Sequence, residues 1–116
     1  MLKIAVLIFA IGALGGLVMA MRVLRGQMAP WALSLLHAAL GATGLVLTAL
    51  VAFGGSGAPG IVPVALIILV VAALGGFYLA SIHARQQLPP RAVVVIHAAV
   101  AVVGFLLLAG GAFALI

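Results

Sequence analysis

The chain has 116 residues, of which 69% are apolar and only 4% charged, with five Lys and Arg and no Asp or Glu. A soluble domain is about half apolar and about a quarter charged, and a disordered chain combines low hydrophobicity with high charge, so both classes are excluded. Without Asp, Glu or Cys, carboxylate acid–base pairs, hard-cation cages, disulfides and thiolate metal sites are excluded as well, and no hydrolytic or carboxylate-based active site remains.

Four apolar runs follow in chain order: Ile4–Met21, Trp31–Phe53, Ile61–Ile82 and Ala92–Ile116. Each is long enough to cross a hydrocarbon core of about 30 Å, which takes roughly 20 helical residues. Backbone groups in lipid must pair internally, so the runs are read as helices. The first follows Lys3 but has no polar cleavage region, which argues for a helix and not a signal peptide. Pro30, Pro63 and Pro89–Pro90 fall at or near span starts, where a missing N–H costs little.

The turns between runs differ in charge. Arg22 and Arg25 mark the first turn, Arg85 and Arg91 the third, while Gly54–Gly60 carries none. The positive-inside rule places the two Arg-bearing turns in the cytoplasm and both ends of the chain outside, with Lys3 alone opposing. The net charge of +5 therefore reads as topology and contact with lipid headgroups. No basic patch interleaved with aromatics points to nucleic acid.

A shift of 60 residues aligns the halves 1–56 and 61–116 without a gap, and 19 of the 56 pairs are identical. The matches cluster, as a repeat requires. Ala13-Leu14-Gly15-Gly16 returns as Ala73-Leu74-Gly75-Gly76, Arg25, Gln27 and Pro30 as Arg85, Gln87 and Pro90, and His37-Ala38-Ala39 as His97-Ala98-Ala99. The expected fold is thus all-α and membrane-embedded: a single domain, residues 1–116, forming a four-helix bundle of two tandem hairpins. Two spans per unit give a parallel repeat about an axis along the membrane normal. The stripe Gly12, Gly16, Ala20 and its copy Ala72, Gly76, Ala80 are read as helix-packing faces within the hairpins.

The histidines carry what chemistry remains. An ionisable side chain inside a span is a functional-site hypothesis by default. His37 and His97 each lie six residues into their spans, roughly 9 Å along the axis, and the repeat sets them at one depth. Gly44 and Gly104 continue the same stripes and are read as cofactor-binding positions that give a flat ligand its clearance. Two imidazoles at one level suit a b-type haem held from both faces, with Arg25, Arg85 and Arg91 near its propionates. A purely structural pair, each His bonded to a neighbouring helix, explains the same duplication. His83 has no repeat partner, since Val23 stands at that place; it reads first as an interfacial residue, more exposed than the other two, and second as a further metal ligand.

The pattern Leu88-Pro89-Pro90, Ile96-His97-Ala98-Ala99 and Val103-Gly104-Phe105, preceded by Gly75-Gly76-Phe77 and His83, resembles small bacterial four-helix membrane proteins with a duplicated hairpin. In organisation the chain is also similar to transmembrane b-type cytochromes, in which His residues on facing helices bind haem. That resemblance implies a multi-pass protein of the bacterial inner membrane, working in electron transport with haem b. Three histidines allow at most one bis-His haem. Small multidrug transporters share the length and span count but depend on a membrane-embedded Glu, which this chain lacks. The alternative of another class is a non-catalytic accessory subunit of a larger respiratory or photosynthetic complex, or a homo-oligomer, with lipid as its other partner.

Overall fold

The computed structural model describes residues 1–55 and 57–116. Within them the chain forms α1 (Leu2–Leu24), α2 (Trp31–Phe53), α3 (Ile61–Ala84) and α4 (Arg91–Ala112). All four are long and apolar enough to span a membrane. At 1.5 Å per residue they run about 33–36 Å, and the whole molecule measures 44 × 21 × 19 Å.

The ends of the helices are set by local chemistry. Pro30 and Pro90 precede α2 and α4 with nearly the same backbone angles, φ −61°, ψ 134° and φ −58°, ψ 132°. α1 ends where Gly26 turns to φ 76°, and α3 ends at the equivalent Gln86 with φ 57°. In α1 the Gly26 and Gln27 N–H groups donate back to Val23 and Arg22, and in α3 Gln86 and Gln87 donate to His83 and Ile82. This is the Schellman closure, which satisfies the last carbonyls. Gln86 takes the left-handed conformation with a Cβ, at a cost of about 1–2 kcal/mol.

The fourth helix is shorter than its apolar run. It stops at Ala112, not at Ile116, because Ala114 turns to φ 55°. Leu115 N–H then bonds the Gly110 carbonyl at 2.8 Å, and Ile116 folds back onto Gly110. The apolar run does not register this reversal, since residues 112–116 are all hydrophobic.

Each helix packs on its two neighbours in a closed order, α1 on α2, α2 on α3, α3 on α4 and α4 on α1, with the hairpin interfaces the more extensive. Among the described residues the diagonal pairs α1–α3 and α2–α4 do not meet through their backbones. Val6, Val62, Ala65, Leu69 and Leu108 form the buried cluster, which fills the half of the bundle near the Gly54–Gly60 connection. Thr48, fully buried there, satisfies its hydroxyl on the Gly44 carbonyl at 2.7 Å. The outer surface is apolar all round: Leu14 and its counterpart Leu74 are 67% and 63% exposed. A hydrocarbon surrounding suits such a surface, and water does not.

Candidate functional site

The two Arg-bearing turns lie at one end of the bundle; His37 and His97 stand one to two turns below them, and His83 lies in the last turn of α3. His37 on α2 and His97 on α4 are both half-buried. Their helices are diagonal, yet the ring centroids are 6.3 Å apart with planes at 79°. The rings therefore meet in the interior between all four helices.

Each ring is held by one backbone bond. Nδ1 of His37 lies 2.8 Å from the Gly12 carbonyl of α1, and Nδ1 of His97 lies 2.8 Å from the Ala72 carbonyl of α3. A carbonyl only accepts, so Nδ1 carries the proton in both and the neutral imidazole keeps its lone pair on Nε2. Neither Nε2 has a hydrogen-bond partner among the described residues. No fully buried side-chain nitrogen is left unpaired there, so both Nε2 atoms border accessible space.

The glycines explain how a side chain reaches a helical carbonyl that already accepts the bond of its own helix. Gly16 lies one turn beyond Gly12, and a Cβ placed on it would stand 2.7 Å from Cε1 of His37. Gly76 stands in the same relation to Ala72, with its Cβ position 3.1 Å from Cε1 of His97. The missing side chains let the Cε1 side of each ring approach α1 or α3 closely. The Gly12–Gly16 stripe thus faces α2 inside the hairpin, as its small residues suggest. Spacing alone does not reveal the roles of the Gly12 and Ala72 carbonyls or of the Gly16 and Gly76 clearances. The signal available was the repeated pair of small residues four apart.

Gly44 and Gly104 are buried, and side chains take the room they leave. A Cβ on Gly44 would lie 2.7 Å from the Phe9 ring, and one on Gly104 would lie 2.8 Å from Leu69 Cγ. Phe9 and Leu69 are again 60 residues apart. Here the glycines serve contact between α1 and α2 and between α3 and α4.

Arg25 and Arg85 occupy the C-terminal caps of α1 and α3, and Arg91 opens α4. All three, with Arg22, are exposed at the end of the bundle. His83 is half-buried like the other two histidines, a departure from the exposed position expected at a helix end. The cause is Trp31, whose ring meets His83 edge-on at a centroid distance of 4.8 Å. His83 is thereby tied to the α2–α3 junction and does not join the His37–His97 pair. Among the described residues no group of three or more His, Cys, Asp or Glu could hold a metal ion. No family model, curated protein or solved structure matches the chain.

Proposed function

We propose that the chain is an integral membrane protein of two parallel hairpins, with both ends outside the cytoplasm of a bacterial cell, and that His37 and His97 are the axial ligands of a b-type haem serving electron transfer. The observation that carries this reading is the repeated Nδ1–carbonyl bond, which leaves Nε2 of both rings without a protein partner among the described residues. Ligating histidines almost always donate their other N–H to a carbonyl or carboxylate. His37 and His97 would hold the haem, and their ring centroids stand 6.3 Å apart in the interior of the bundle. When bound, the haem supplies one-electron redox chemistry within the bilayer.

The chain's own residues orient the donors. The Gly12 and Ala72 carbonyls fix the tautomer and the ring direction, and by holding the Nδ1 proton they raise the basicity of Nε2. Gly16 and Gly76 admit the rings. Substituting His37→Ala or His97→Ala should each abolish a reduced-minus-oxidised spectrum, whereas His83→Ala should retain it. A pigment that survives both of the first two changes refutes the assignment.

One observation favours the accessory-subunit reading. Rings 6.3 Å apart at 79° have the edge-to-face geometry of aromatic contact, and each His also ties two helices together. A colourless, folded protein that loses stability in both His variants supports that reading.

A further inference from the structure

The end of the bundle opposite the buried cluster holds four guanidinium groups and no counter-charge. Arg22 and Arg25 close α1, Arg85 closes α3 and Arg91 begins α4. All are exposed, and the sequence contains no Asp or Glu to neutralise them. Two are held by the backbone: Arg22 Nε donates to the Met28 carbonyl at 3.1 Å, and Arg85 Nε donates to the Ser81 carbonyl at 3.3 Å. Those bonds use Nε of each guanidinium, and the terminal nitrogens make no hydrogen bond among the described residues. The helix starts at this end add to the demand for an anion. α2 and α4 begin after Pro30 and Pro90 with no side-chain cap, so their first N–H groups point outward unsatisfied.

We infer that this end is a binding surface for the phosphodiester groups of anionic phospholipids, with Arg22 and Arg25 serving one hairpin and Arg85 and Arg91 the other. Guanidinium forks match phosphate oxygens two at a time. The depth is set independently by Trp31, which is 44% exposed at the same end and edge-packed on His83. An amphipathic indole settles at the headgroup level, which brings the arginines to the level of the phosphates. The surface lies beyond the histidine pair, and its arginines include Arg25, Arg85 and Arg91, the residues expected near the propionates of a haem on that pair.

Native mass spectrometry of the purified, delipidated full chain in detergent tests this, with phosphatidylglycerol and phosphatidylcholine offered at equal concentration. The expected result is preferential retention of phosphatidylglycerol. Each of Arg22→Gln, Arg25→Gln, Arg85→Gln and Arg91→Gln should weaken retention by about fivefold, while Lys3→Gln at the other end should leave it unchanged. Helical content by circular dichroism confirms that each variant is folded. Equal retention of the two lipids overturns the inference, as does a preference that survives all four substitutions together. Full displacement of the lipid by millimolar inorganic phosphate also overturns it, since that would mark a small-anion site.

Discussion

His37 and His97 face each other across the bundle, with ring centroids 6.3 Å apart, although the backbones of their helices α2 and α4 do not meet among the described residues. The contact is made possible from the other two helices. Gly16 and Gly76 give up their side chains so that each ring lies against α1 or α3. This division of labour, donors on one diagonal and clearances on the other, gives the following expectations.

Substituting Gly16→Ala should displace the His37 ring and break its bond to Gly12, because the new Cβ would lie 2.7 Å from Cε1. Overpacking of this kind costs about 1–3 kcal/mol. Gly76→Ala should cost less, since its Cβ position is 3.1 Å from Cε1 of His97. Thermal unfolding in detergent measures both, and no loss in either variant would show that the rings do not rest on these glycines.

The tautomers are open to direct observation. Both imidazoles should carry a proton on Nδ1, since each of these nitrogens faces a carbonyl at 2.8 Å. Nitrogen NMR of the ¹⁵N-His-labelled metal-free protein should show Nδ1 protonated and Nε2 bare at both sites. A proton on Nε2 at either would remove that ring from the ligand pair.

Gly44→Ala and Gly104→Ala should each destabilise their hairpin by about 1–3 kcal/mol, against Phe9 and Leu69 respectively. Combining Gly44→Ala with Phe9→Leu should recover part of the loss, because the Phe9 ring then no longer crowds the new methyl group. Chemical unfolding of the single and double variants measures the coupling; strict additivity would place Phe9 elsewhere.

Topology is checked by reporter fusions. With four arginines in the two turns at one end, terminal fusions to a reporter active only in the cytoplasm should stay silent. Activity at both ends would place the arginine end outside.

Much of this architecture is legible in the sequence, because spans in lipid need length and hydrophobicity more than pattern. The run Trp31–Phe53 coincides with α2, bounded by Pro30 and Gly54, residues whose backbone chemistry marks an end. Ile61 opens α3 for the same reason. The end of α4 was not legible, since Ala114 turns left-handed without glycine. At the site, the depth and pairing of His37 and His97 follow from the repeat, and their inward direction follows from the order of the helices. The carbonyl acceptors on Gly12 and Ala72 could not be read, because a backbone oxygen has no residue type. The packing of Trp31 on His83 joins residues far apart in sequence and belongs to only one copy of the repeat, so nothing in the repetition announced it.

The most direct test is the absorption spectrum of the full chain, purified from a haem-sufficient host and recorded before and after dithionite. Two neutral imidazoles on one low-spin iron predict sharp α and β bands on reduction, at one haem per chain, lost in both His37→Ala and His97→Ala. A colourless, folded and monodisperse protein that takes up no haem on titration would contradict the haem-ligand assignment and leave the histidines as the ties between α1 and α2 and between α3 and α4.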